Sequence, residues 1–466
     1  MIFKASPENH DEASLPDVHR SVSVSGATWL KRTLAFAGPG YLVSVGYMDP
    51  GNWATDLEGG SRLGYTLLWV ILVSNIMAML LQTLCVRLGI ATGRDLAQAC
   101  RDYYKRPAAI ALWLLCEVAI IACDLAEVIG SAVALQLLMG IPLMWGVLIT
   151  GFDVLILLGA MRFGFRKLEA IVIALVATIF ACFAVNIYLC KPDWGAAAHG
   201  LITPSLPAGA LVIAVGILGA TVMPHNLYLH SSIVQTRAYE QTGEGKKRAM
   251  KLATLDVIIA LGAAFFVNAA ILVLAAAVFG KTGQVVTELQ KAHELLRPAL
   301  GGAAATLFAV ALLCSGQSST ITGTLAGQIV MEGFLKIRIK PWLRRLITRL
   351  LAIIPAMILI SATGGKDTVN ILTLSQVVLS MQLPFAVFPL VMFTASRKRM
   401  GDFANPLWLT VVGYLMCAVI TVLNVKLVGE QVGWLWVGLG AVAMGGFGAW
   451  VAFGYKEKAA AQELAA

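Results

Sequence analysis

The sequence predicts an all-α, polytopic membrane protein, on three observations. Only 13% of the 466 residues are charged while 58% are hydrophobic, and the mean hydropathy is +0.79. A soluble chain carries roughly 25% charged residues. Apolar runs of about 18 residues or more recur along almost the whole length, each long enough to cross a bilayer as a helix. Every second connection is strongly basic, and the alternate ones carry far less positive charge.

The net charge of +9 would suggest nucleic acid in a soluble protein. Here it lies in the loops, where the positive-inside rule accounts for it. That excludes nucleic acid and leaves the lipid bilayer as partner. The eight cysteines are scattered without a CxxC pair, and most, such as Cys116, Cys182, Cys314 and Cys417, fall in apolar runs. They read as small core residues rather than a disulfide or zinc framework. Residues from Met1 to about Gly26 are polar and include Glu8, Asp11, Glu12 and Asp17. They read as a short disordered tail, with no cleavable signal peptide.

About twelve spans are expected from the apolar runs. They begin near Leu34, Thr66, Ile110, Leu143, Leu168, Leu206, Leu252, Ala303, Leu346, Val369, Leu407 and Trp434. Lys31 and Arg32 precede the first. Arg87, Arg94, Arg101, Lys105 and Arg106 separate the second and third, and Arg162, Arg166 and Lys167 follow the fourth. Lys246, Lys247, Arg248 and Lys251 follow the sixth, and Lys336, Arg338, Lys340, Arg344 and Arg345 follow the eighth. Arg397, Lys398 and Arg399 follow the tenth. Both termini are therefore expected in the cytoplasm of a multi-pass protein of the cell (inner) membrane. The expected organisation is a cytoplasmic tail (1–33), a first repeat of spans one to five (34–190) and a second of spans six to ten (206–394). Two additional spans (405–454) and a cytoplasmic tail (455–466) follow.

Spans one and six each carry a break of the form X-Pro-X-Asn: Asp49-Pro50-Gly51-Asn52 and Met223-Pro224-His225-Asn226. Proline removes a helix donor and clashes with the preceding turn. Within hydrocarbon such a break survives only where it is buried in protein or lines a cavity. A single proline would read as a kink. Two matched breaks, five spans apart, point to inverted repeats with a substrate site at the bilayer midplane.

The residues at the breaks suit a metal ion. Asp49 supplies a carboxylate, Asn52 an amide oxygen and Met223 a thioether, and unwinding frees backbone carbonyls at Gly46 and Ala220. This is neither an all-oxygen calcium cage nor a thiolate zinc site, and the soft sulfur favours transition metals over magnesium and calcium. His225 and His230 suit separate roles as ligand or proton carrier, with His225 near the ion and His230 toward the cytoplasm. On span three, Glu117, Asp124 and Glu127 share one helical face and suggest a proton wire. Arg349 is the best-placed basic partner, with Arg345 closer to the surface. Asn75, Thr221, Asn268, Gln376, Gln382 and Asn424 are the other polar side chains within spans, as helix glue, ion ligands or vestibule lining. Asp153 in span four has no evident partner.

The motifs DPGN (Asp49 to Asn52), MPHNLYLHS (Met223 to Ser231), DLAEVIGSA in span three and QLPFA in span ten (Gln382 to Ala386) closely resemble those of Nramp transporters, the proton-coupled divalent-metal symporters. The likeness runs from about Ala35 to Ala386 or beyond and is nearest the bacterial manganese-importing branch. It implies a LeuT-like 5+5 inverted-repeat fold and a metal bound by Asp49, Asn52, Met223 and the backbone oxygens of Gly46 and Ala220. It also implies a span-ten glutamine, Gln376 or Gln382, that joins the metal in outward-closed states. The implied proton route runs from Asp49 through Asp124 and Glu127, near His225 and a span-nine arginine, with Asn75 and Asn268 along the external approach. A magnesium-carrying relative lacks the methionine that this chain keeps. The expected function is proton-coupled import of Mn2+, Fe2+ or a similar ion by alternating access, by a monomer with no resident cofactor. The alternatives are a sodium-coupled amino-acid carrier on the same fold, which Asp49 and Met223 disfavour, a membrane enzyme, for which no HExxH motif is present, and an uncoupled channel.

Overall fold

The computed structural model describes residues 14–15, 18–24, 28–153, 164–280, 283–337, 339–440, 442–443 and 445–450. Arg162, Arg338 and the 455–466 tail lie outside the described residues. Among the described residues, nine helices are long and apolar enough to cross a bilayer. At the expected first, fourth and twelfth spans lie the broken helix Pro39–Leu63, a short helix over Leu143–Thr150, beyond which residues 154–163 are outside the described residues, and an apolar helix over Trp434–Trp450. The expected starts shift where polar turns extend a helix: span seven begins at Gly243 and span nine at Pro341.

Both expected breaks are present. Span one is a helix over Pro39–Val45, a 3-10 turn over Gly46–Met48, an extended Asp49 and a second helix over Pro50–Leu63. Span six is a helix over Leu211–Val222, then Met223, then a helix over Pro224–Ile233. Each proline does more than interrupt. It occupies the first turn of the second half-helix, where its missing N–H costs nothing and its fixed φ is already helical. Met223, at φ +30, is the only residue between the halves of span six, a strained conformation for a side chain with a Cβ.

Burial orders the spans from centre to periphery. The span-six region Leu211–Thr236 is 94% buried over its most apolar window, whereas Phe165–Cys190, Leu343–Thr363 and Leu407–Gln431 are 28–33% buried. The broken helices are therefore wrapped by the others, and spans five, nine and eleven present apolar faces outward. Small residues let backbones touch at the centre. A Cβ on Gly219 would collide with the Gln376 carbonyl oxygen and lie 2.8 Å from the Ser380 nitrogen. Spans six and ten meet there backbone to backbone, where neither side can yield cheaply. Gly219→Ala is expected to lower the thermal midpoint in detergent, at a cost of about 1–3 kcal/mol.

The N-terminal segment differs from expectation. Part of it is packed rather than free: Ser14, Leu15 and Val22 are buried, and Val22–Ser23 pairs in parallel with Arg237–Ala238. The helix Trp29–Phe36, with Thr28 as its N-cap, straddles the expected boundary between tail and first span. A sparse, polar composition hid two apolar anchors that find buried seats.

Candidate functional site

The break in span one is built around the Asp49 side chain, which caps the second half-helix. Its Oδ1 accepts from the Asn52 backbone N–H at 2.8 Å, the usual N-cap bond, and from Asn52 Nδ2 at 2.8 Å. The same Nδ2 donates to the Gly46 carbonyl at 3.1 Å and the Ala220 carbonyl at 3.1 Å. Three oxygens, one charged and two freed by unwinding, thus converge on one donor. The amide NH2 occupies the point where they meet. Met223 Sδ lies beside the cluster, 2.9 Å from where a Cβ on Gly46 would be, and 3.5 Å from Asn226 Nδ2. Asp49, Asn52 and Met223 are each at most 1% exposed.

Two glutamines were open as the span-ten ligand, and they lie in different places. Gln376 packs against Gly51, whose added Cβ would collide with its amide. Its Nε2 donates to Ser375 and its Oε1 has no partner. Gln382 lies further along span ten, buried, with neither amide atom paired. Asn268, expected along the external approach, reaches the site itself: its Nδ2 donates to Asn52 Oδ1 at 3.2 Å. Asn75 and Thr221 are buried, and the Thr221 hydroxyl is unpaired.

The histidines are separated as expected. Two residues beyond Met223, buried His225 leaves Nδ1 unpaired. One turn further, His230 Nδ1 lies 3.0 Å from Gln82 Oε1, and since an amide oxygen only accepts, His230 donates. Gln82 Nε2 in turn donates to Tyr47 Oη at 3.2 Å.

The acid row of span three faces span nine, but the pairing corrects the expected one. Arg345 is fully buried, not near the surface, and bridges Asp124 at 2.6 Å and Glu127 at 3.2 Å. Arg349 holds Asp153 at 2.7 Å and stands 3.5 Å from Glu127. It is therefore the missing partner of Asp153 rather than the main counter-charge of the row. Arg344, read only as a loop charge, binds Glu117 at 2.7 Å. Thr320 donates to Glu127 at 3.1 Å. The reason is helical phase: adjacent Arg344 and Arg345 point about 100° apart on span nine, so one reaches Glu117 and the other the Asp124–Glu127 pair, while Arg349, one turn on, reaches Asp153.

The match to known proteins now adds to this geometry. Residues 40–430 match the family described as natural resistance-associated macrophage protein-like, or Nramp. The chain belongs to the Nramp family. Nramp relatives include a protein of Nostoc sp., 58% identical over 441 residues, covering 92% of this chain and 98% of that one. Another, from Mesorhizobium japonicum, is 58% identical and covers 91% and 95%. Both are named divalent metal cation transporter MntH. Among solved structures, the Eremococcus coleocola manganese transporter superposes with a TM-score of 0.89 at 39% identity, covering 96% of this chain and all of that one. Mhp1, a nucleobase-cation-symport-1 family transporter, superposes at 0.62 with 15% identity and shows the shared LeuT-like fold alone. An Nramp chain is a carrier and not an enzyme, which sets aside the membrane-enzyme alternative.

Within this Nramp chain one further side chain enters the site. Cys123 Sγ lies 3.9 Å from Asp49 Oδ2 and 3.9 Å from Glu127 Oε1, and it packs in one cluster with Met223. It touches both the break and the acid row. A cysteine in an apolar run carries no signal of this in sequence. Its position four residues before Glu127 on the acid face was the available clue. Asn424, by contrast, holds Ser380 as helix glue, at 3.1 Å to its carbonyl and 3.0 Å to its hydroxyl.

Proposed function

We propose that the chain is a proton-coupled symporter that imports divalent transition metals, Mn2+, Fe2+ or similar, by alternating access. The observation that carries this is the convergence of Asp49 Oδ1 and the Gly46 and Ala220 carbonyls on one buried point beside the Met223 sulfur. The name of the Nostoc relative and that of the Eremococcus structure support the cargo. A metal there takes the place of the Asn52 NH2, and Asn52 turns its Oδ1 inward. Gln376, which packs against Gly51 within the break, is our choice over Gln382 as the span-ten ligand, through its unpaired Oε1. Among the described residues no group of three His, Cys, Asp or Glu side chains could hold a metal. A single carboxylate with neutral donors suits an ion that must also leave, and no resident cofactor is part of the reading.

The proton moves from Asp49 past Cys123 to Glu127 and Asp124, with Arg345, Arg349 and the Glu117–Arg344 pair setting the field. Metal ligands bind deprotonated, so metal arrival at Asp49 releases its proton into that row. His225 and His230 line the way out along the second half of span six. The protein works as a monomer in the cell (inner) membrane, with both termini and the basic loops cytoplasmic. Nothing in the geometry favours an amino-acid carrier, because the Asp49 carboxylate would repel a substrate carboxylate.

Manganese uptake into proteoliposomes with an imposed pH gradient tests this, with calcium and magnesium as competitors. The wild type is expected to import manganese faster with an acidic outside and to ignore calcium. Met223→Ala is expected to lose discrimination against calcium by about tenfold, the equivalent of about 1.4 kcal/mol. A wild type that admits calcium as readily as manganese would sink the soft-ligand reading.

A further inference from the structure

Residues 14–15 and 18–24 cross the end of the molecule where the basic loops lie, and they bind elements from both repeats. Ser14 Oγ donates to Asp95 Oδ2 at 2.6 Å, at the start of the short helix Leu96–Tyr103 after span two. The Leu15 N–H donates to Glu332 Oε2 at 3.1 Å, in the last turn of span eight. The Arg20 N–H donates to the Gln235 carbonyl at 3.0 Å, and Val22 pairs with Arg237, both just beyond the second half of span six. Leu15 and Val22 are 6% and 8% exposed.

The same point fastens the entry to span one. Arg237, fully buried, donates to the Phe36 carbonyl and the Ala37 carbonyl at 2.9 Å each, and pairs with Glu169 of span five at 2.8 Å. Asp256 of span seven accepts from Gly40 N at 2.7 Å. Span eight belongs to a different group. Its Thr320 binds Glu127 of span three, and a Cβ on its Gly316 would collide with the Ser131 hydroxyl of span three. The segment therefore ties the broken-helix group to the group carrying the acid row, across the seam that must part if the site is to open on this side.

We propose that residues 14–15 and 18–24 form a latch that holds the metal site closed toward the basic-loop face. It rests on the alternating-access reading above. Opening toward that face separates Glu332 from Gln235 and Arg237, so the Leu15 bond or the Val22–Arg237 pair has to break first. Even one such bond lost on opening shifts the open population by a factor of about five.

Cys123, buried beside Asp49, is a native reporter for the test. In a background with the other cysteines changed to serine, a membrane-impermeant thiol reagent is applied separately to each face of oriented vesicles. Removing residues 2–24 is expected to raise Cys123 modification from the basic-loop face by at least about fivefold and to lower it from the opposite face. Ser14→Asp, which sets a like charge against Asp95 without deleting chain, is expected to shift both rates in the same directions. Unchanged rates in both variants overturn the latch, as does an equal rise from both faces, which would mark general loosening. If Cys123 of the unaltered segment reacts from neither face with or without manganese, alternating access itself fails and the latch falls with it.

Discussion

Asp49→Ala is expected to abolish manganese uptake, by at least about 1,000-fold in proteoliposomes. Asp49 is the one charged side chain at the point where the Gly46 and Ala220 carbonyls converge, and it is fully buried. A divalent ion stripped of water needs compensating charge there, and the remaining donors are neutral. A 1,000-fold loss corresponds to about 4 kcal/mol. The cost to the fold is smaller, because what disappears from the helix is one N-cap, worth about 1 kcal/mol. The variant is therefore expected to purify and to fail in isothermal titration with manganese. Asp49→Asn, which keeps the shape and the cap, is expected to fail as well, which separates charge from geometry. Uptake by Asp49→Ala at the unaltered rate would remove the metal from this site altogether.

The second large effect concerns stability. Arg345→Met is expected to destabilise the protein by about 3–5 kcal/mol, the usual result of taking one partner from a buried ion pair. One guanidinium serves two carboxylates here, Asp124 at 2.6 Å and Glu127 at 3.2 Å. Arg349 compensates only in part: its Nη1 stands 3.5 Å from Glu127, but its Nη2 is held by Asp153 at 2.7 Å. Adding Asp124→Asn removes one of the stranded charges, so the double variant is expected to be more stable than Arg345→Met alone. The non-additivity measures the coupling. Arg344→Met is the contrast: it strands one carboxylate rather than two, and its partner Glu117 retains 13% side-chain exposure, so a smaller penalty than for Arg345→Met is expected. Thermal unfolding in detergent ranks all three. An Arg345→Met midpoint equal to that of Arg344→Met would contradict the assignment.

What could be read from sequence was whatever a single span states about itself. Pro50 and Pro224 break their helices wherever the neighbours stand, and Asp49 and Met223 sit at those breaks by adjacency alone. The acid face of span three follows from helical periodicity. Pairings between spans were not legible in the same way. Arg344, Arg345 and Arg349 lie within two turns of one helix, and only the rotation of span nine against span three decides which faces Asp124. The same holds for Asp153, whose partner is 196 residues away. Cys123 escaped notice because a thiol among alanines and isoleucines has the composition of a core. The N-terminal segment was misread because Leu15 and Val22 are too few to alter a polar average, yet each has a buried seat.

The Asn52 amide has one more consequence. Its nitrogen fills the position between the three oxygens, so the unloaded cradle is already self-solvated. On the proposed reading, an arriving ion competes with a tethered intramolecular occupant rather than entering bare electronegative space, and the expected result is weaker affinity and faster departure. A carrier must also make half its journey with no cargo aboard. A protein whose own side chain neutralises the vacant seat can complete that return stroke without stranding desolvated oxygens in the middle of the membrane.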